Sequence, residues 1–220
     1  MSDASDVFRE VDEEVRREQL KKLWERYGHY AVALAVLVVL GVAAWRGYSW
    51  WEAKKSAEAG AAFEAAITLS DAGKHAEADA AFAKIADDGS SGYRPLARLR
   101  AATELAQTDP KAAVAAFEKI SNDGSNTAVV RDLAALRAGG LLVDAANYPD
   151  AQRVLEPLTA SDRTFRHTAR ELLAVTAWRQ GDGPGTKRWF DMLATDPLTP
   201  SATRTRAEML MALVAAESKS

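Results

Sequence analysis

Residues 27–45 carry no fixed charge, and residues 31–45 are apolar throughout apart from Gly41. At 1.5 Å rise per residue such a stretch spans roughly 28 Å as a helix, close to the ~30 Å hydrocarbon thickness of a bilayer. Its ends are marked by aromatic residues, Tyr27 and Tyr30 on one side and Trp45, Tyr48, Trp50 and Trp51 on the other. Tyr and Trp collect at the two membrane interfaces, and Arg46 can snorkel outward, so the run predicts one membrane-spanning helix. A buried core helix would not need aromatic residues gathered at both ends. A cleaved signal peptide fits poorly as well: Val42-Ala43-Ala44 is a passable cleavage site, but the 29 residues before the run hold eight acids against six bases.

Nearby positive charge sets the expected orientation. Arg16, Arg17, Lys21, Lys22 and Arg26 lie before the run, against Arg46, Lys54 and Lys55 after it, which predicts a cytoplasmic N-terminus. Ahead of the run Val7, Phe8, Val11, Val15, Leu20, Leu23 and Trp24 recur at spacings of three and four. That spacing predicts a short amphipathic helix leading into the membrane.

Beyond Trp51 the chain repeats itself. Gly73-Lys74-His75-Ala76-Glu77-Ala78 with Phe82 returns as Asp109-Pro110-Lys111-Ala112-Ala113 with Phe117, so that Ala78 to Ala113 and Phe82 to Phe117 are both 35 residues apart. A third copy runs from Asn147 through Ala151 and Leu155, and a fourth from Gly181 through Thr186 and Phe190. In each, a small residue followed four later by a bulky one puts a notch and a knob on one face of the second helix of a pair. Alanine-rich segments are strong helix and poor strand material, and the resulting reading is all-α. Helix pairs are predicted at 56–72 with 74–87, 92–107 with 110–121, 126–145 with 148–159 and 162–180 with 183–194. Residues 200–216 close the array, where Arg204, Arg206 and Glu208 are expected to give the last helix the polar outer face of a terminal cap.

A helix-turn-helix period near 34 with this small-to-large pattern resembles the tetratricopeptide repeat. The first helix of that repeat carries a small residue near its middle, a place that Ala66, Ala101, Gly139 and Ala174 match. The tryptophan and leucine usual early in its first helix are mostly replaced here. The apolar run and this resemblance together predict an all-α chain with a single N-terminal transmembrane helix followed by a tetratricopeptide-repeat-like α-solenoid. The run and the charges beside it divide the chain into residues 1–29, an expected cytoplasmic amphipathic segment; 30–51, the transmembrane helix; and 52–220, a periplasmic repeat domain with its capping helix.

Nothing in the chain spells catalysis. His29, His75 and His167 are far apart and lack metal-ligand spacing, and no nucleophile elbow occurs. The glycine-rich Gly181-Asp182-Gly183-Pro184-Gly185-Thr186-Lys187 lacks the Gly-Lys-Ser/Thr order of a phosphate loop and follows a helix. Neither a metal nor a cofactor is expected. The absence of cysteine rules out disulfides and thiolate sites, and a net charge of -3 gives no footprint for nucleic acid.

What remains is a surface for proteins. In tetratricopeptide arrays the first helices line a concave groove. Counting from the small-residue position puts Phe63, Ile67, Arg98, Leu105, Leu136, Val143, Glu171, Val175, Trp178 and Arg179 toward it. Arg98, Glu171, Val175, Trp178 and Arg179 are the candidate contact residues, Trp178 and Arg179 foremost because Trp and Arg are enriched at binding hot spots. Ala102, Gly140 and Val175 stand where carboxylate-clamping members of the family have asparagine, so no such clamp is expected.

The charged segment Phe8-Arg9-Glu10-Val11-Asp12-Glu13-Glu14-Val15-Arg16, one span ending in Trp50-Trp51 and an alanine-rich repeat domain together resemble the ancillary subunit of the bacterial Sec translocon. That resemblance implies an inner-membrane protein with its repeat domain in the periplasm, whose partners are translocon subunits and periplasmic chaperones and which is no enzyme. The alternative reading is an envelope scaffold for cell-division or outer-membrane assembly complexes. Self-association is compatible with both.

Overall fold

In the computed structural model, residues 3–217 are described, with side chains described from Lys21 onward apart from Lys22, Leu23, Ala31 and Glu217. Of the expected apolar face of the amphipathic lead-in, Trp24 is exposed and the other side chains lie outside the described residues. Among those described there are α-helices, one 3-10 turn and no strand. Their order is α1 (Asp3–Asp71), α2 (His75–Asp88), α3 (Tyr93–Thr108), α4 (Pro110–Asn122), α5 (Ala128–Asp144), α6 (Tyr148–Leu155), the 3-10 turn Glu156–Thr159, α7 (Arg166–Arg179), α8 (Gly183–Thr195) and α9 (Ser201–Glu217).

The chain divides into two compact units, residues 1–54 and 55–220. In the first, the part of α1 within Trp24–Asp71 holds an 18-residue window of mean hydropathy 2.0, long and apolar enough to cross a membrane. Its Val32, Leu34, Val36, Leu37, Val38, Val39, Leu40 and Val42 are all exposed.

In the second, each helix packs on the next. The end of α1 and α2 share a core of Ala66, Ala78, Phe82 and Ile85, which Ala97 of α3 continues. Phe63 meets Phe82 edge to ring at 5.1 Å between centroids. Leu99 and Ala102 of α3, Phe117 and Ile120 of α4, and Ala134 and Ala138 of α5 form the middle core. Leu155, Leu173, Ala174 and Trp189 anchor the last. The notches Ala78, Ala113, Ala151 and Thr186 are all fully buried, and so are the knobs Phe82, Phe117 and Leu155. In the fourth copy the knob differs, because Trp189 is buried while Phe190 is only half-buried.

Local chemistry accounts for the helix ends. Asp109 accepts a hydrogen bond from the Ala112 amide at 2.9 Å with Pro110 in the first turn, and Asp182 does the same for Gly185 ahead of α8. Side-chain oxygens at these positions satisfy amides that have no partner inside the helix. Pro157 has no N–H and its ring crowds the preceding turn, which ends α6 at Leu155 and leaves a 3-10 turn where one longer helix was expected.

The first helices of three pairs end in the same way. Lys74 donates to the Leu69 carbonyl at 3.0 Å, Asn147 to Leu142 at 2.9 Å and Asp182 to Ala177 at 2.9 Å. This six-to-one closure needs a left-handed residue, supplied by Gly73 (φ 73°), Ala146 (φ 57°) and Gly181 (φ 71°). Alanine carries a Cβ penalty there, so Ala146→Gly should stabilise the domain by up to about 1 kcal/mol in urea unfolding.

The surface of the C-terminal cap is less uniformly polar than the sequence expectation. Arg204 of α9 turns back to the Asp196 carbonyl and Arg206 pairs with Glu171, while Met209 and Leu213 face outward, 56% and 53% exposed. Arg204 and Arg206 thus fasten α9 to the array, while Arg206 and Glu208 remain exposed beside these apolar side chains.

Candidate protein-binding groove

Helix α3 sets the geometry of the groove. Of its adjacent alanines near mid-helix Ala102 is the sealed one, 2% exposed, whereas Ala101 is half-buried against the first core together with buried Ala97. The buried series along the first helices is thus Ala66, Ala102, Gly139 and Ala174. A shift of one residue turns a side chain by about 100° around a helix. In this register Leu99, three before Ala102, takes the place in line with Phe63 and Leu136.

Two adjoining depressions follow from that arrangement. One, of about 390 Å³, is lined by Phe63 of α1, Leu96, Leu99, Arg100 and Thr103 of α3, Phe117 of α4, and Leu133 and Arg137 of α5. The other, of about 440 Å³, shares Thr103, Phe117, Leu133 and Arg137 and continues through Gln107, Leu136, Gly140 and Asp144 to Thr168 and Leu172 of α7. The first helices of successive pairs thereby line one continuous apolar trough with a few polar groups on its walls, as a surface for a peptide or a helix requires.

The candidate residues read from the sequence do not all meet there. Arg98 lies with Leu105 in a separate depression against α2 and α4, and its Nη1 donates to Asp123 at 3.3 Å. Ser125, through hydroxyl and amide, and then Arg98 hold the Asp123 carboxyl below the usual carboxylate range. Glu171 is half-buried and accepts two hydrogen bonds from Arg206, one from Nη2 at 2.9 Å. Val175 packs half-buried on the Leu173 and Ala174 core, Trp178 is half-buried, and Arg179 donates to the Val143 carbonyl at 3.1 Å. Phe63 and Leu136 line the trough; Ile67 packs on the first core, and Val143 is buried. Arg100, Thr103 and Arg137 line it and were missed; moving the count on α3 by one residue would have brought Leu99 and Thr103 to the same face.

Charged side chains elsewhere act as fasteners. Asp196, between α8 and α9, accepts from Arg166 at 2.9 Å, His167 at 3.0 Å and Arg170 at 3.0 Å, and from the Leu198 amide at 3.0 Å. These donors, Arg166 first, hold its carboxyl far below the usual carboxylate range. Buried Glu104 accepts from Ser70 at 2.7 Å and lies 2.7 Å from His75, joining α3 to the α1–α2 turn. Burial and this carboxylate push the nearby Asp79 carboxyl upward. His75 and His167 therefore tie helices together, and among the described residues no group of three His, Asp or Glu is placed to hold a metal ion.

No curated protein and no solved structure matches the chain. A family model does: that of the tetratricopeptide repeat-like domain matches residues 21–187, from before the apolar run into α8. With that match over most of the chain, and with helix pairs stacked so that their first helices line one trough, the chain belongs to the tetratricopeptide repeat-like domain family.

Proposed function

We propose that this protein is a protein-binding module tethered to the bacterial inner membrane, N-terminus in the cytoplasm and repeat domain in the periplasm, where it assists translocation or chaperone hand-over at the Sec translocon. The observation that carries the reading is an apolar trough across the first helices on a chain that also holds one uncharged stretch of bilayer length. The family match takes in both parts. Tethering holds a modest binding surface at high effective concentration near its targets, so weak affinity suffices. Residues 1–29, 30–51 and 52–220 are the corresponding parts. Val175, Trp178 and Arg179 would extend the contact surface along α7, with Glu171 and Arg98 at its margins.

A photo-cross-linking residue at Thr103 in the trough, or at Trp178, should capture a translocon subunit, a periplasmic chaperone or a secreted chain from membranes. Capture of division or cell-wall proteins alone would favour the envelope-scaffold alternative. A periplasm-specific reporter fused after Ser220 should be active and sediment with membranes; activity of a cytoplasmic reporter instead would overturn the orientation.

A further inference from the structure

Most arginines of the repeat domain are engaged: Arg98 with Asp123 at 3.3 Å, Arg163 with Asp132 at 3.1 Å, Arg166 and Arg170 with Asp196 at 2.9 and 3.0 Å. Arg100 and Arg137 differ. They are exposed, they stand on successive first helices, and among the described residues neither makes a hydrogen bond or ion pair. Both line the same 390 Å³ depression, whose other lining residues include no carboxylate. They share it with exposed Leu96, half-buried Leu133 and the buried Leu99 and Phe117.

We propose that the trough selects partner segments carrying internal acidic side chains between apolar residues, with carboxylates seated on Arg100 and Arg137 and the apolar residues on the floor below. The inference rests on the protein-binding reading above and names the chemistry of its ligand. An arginine fork presents parallel N–H donors that match a carboxylate, and such charge-assisted bonds are stronger than neutral ones. They gain further where an apolar floor excludes water from one side. Because the two guanidiniums sit along the trough and not at a closed end, side-chain carboxylates suit them without a free C-terminus.

The test uses the full chain in mild detergent and three fluorescent, C-terminally amidated twelve-residue peptides of one Leu/Phe pattern, with Glu, Gln or Lys at the two central polar positions. Fluorescence anisotropy should show the Glu peptide binding about tenfold or more tighter than the Lys peptide, with the gap narrowing as salt is raised. R100Q/R137Q should abolish the gap and K187Q, which removes an exposed positive charge on α8 away from the trough, should keep it, with unchanged melting curves showing that both variants are folded. A photoreactive group in the Glu peptide should mark residues within 96–140. Equal binding of Glu and Lys peptides would overturn the acidic preference and leave the groove standing. Binding of none of the three, or labelling elsewhere, would overturn both. If R100Q/R137Q melts early, the single variants R100K and R137K, which keep the charge and lose the fork, should each lower the preference; no change in either would count against the proposal.

Discussion

Arg170→Ala is expected to destabilise the repeat domain by about 3–5 kcal/mol, the range for breaking a buried charged network. Arg170 is 5% exposed on α7. Its Nε and Nη2 donate to the Thr159 carbonyl at 3.2 and 2.8 Å, and its Nη1 to the Met192 carbonyl at 3.3 Å and to Asp196 at 3.0 Å. One side chain thus closes the end of the 3-10 turn, the end of α8 and the loop into α9. Removing it leaves the buried Thr159 carbonyl and the part-buried Met192 carbonyl without this donor and opens a cavity the length of the side chain, and a buried orphaned acceptor alone costs about 1–3 kcal/mol. Urea unfolding of the full chain in mild detergent measures the loss. Arg170→Lys should recover only part of it, because an ammonium cannot reach all three acceptors at once.

The same cluster gives the domain a pH dependence of defined sign. The Asp196 carboxyl is lowered in the folded state, so its contribution is present above the unfolded value of about 3.9 and is lost as pH falls through the ordinary carboxylate range toward the lower folded value. Unfolding midpoints should drop as the protein is acidified below about pH 4. Asp196→Asn should flatten that acid limb while leaving a less stable domain at neutral pH.

Gly139 and Gly140, neighbours on α5, should respond to alanine with opposite signs. A Cβ on Gly139 would lie 2.4 Å from Leu155 Cδ2 and 2.5 Å from its Cγ. Leu155 is fully buried and cannot swing away, so Gly139→Ala should overpack the pair α5 and α6 at a cost of about 1–3 kcal/mol. On Gly140 a Cβ meets nothing within 4 Å, so Gly140→Ala should instead stabilise by about 0.5–1 kcal/mol through helix propensity. Equal responses of the two variants in urea unfolding would show that α5 does not present Gly139 to Leu155.

The groove was partly legible from residue spacing. Phe63 and Leu136, each three residues before a buried small residue, line the trough as counted. On α3 the 35-residue spacing from Ala66 selects Ala101, yet its neighbour Ala102 is the more buried of the two, a choice made by packing. It moved Arg98 to the α2 and α4 side and brought Leu99 inward.

The sequence by itself determined that the chain is helical, that one uncharged run is of bilayer length, and that the second helices of the first three pairs bury a notch and a knob four residues apart. These are properties of a single helix: composition, length and a 3.6-residue period that an isolated segment already carries. Only the tertiary structure decided the rest. Asp196 collects Arg166, His167 and Arg170 from about 30 residues away in the chain, and Arg206 reaches Glu171 from 35. No local period encodes such pairings. Periodicity divides a helix into faces, but which charged face turns inward as a fastener and which is left open to a partner depends on the neighbours it packs against. That is why Arg204 and Arg206 fasten α9 to the array while Met209 and Leu213 stay exposed, and why Arg100 and Arg137 are the ones left facing the trough.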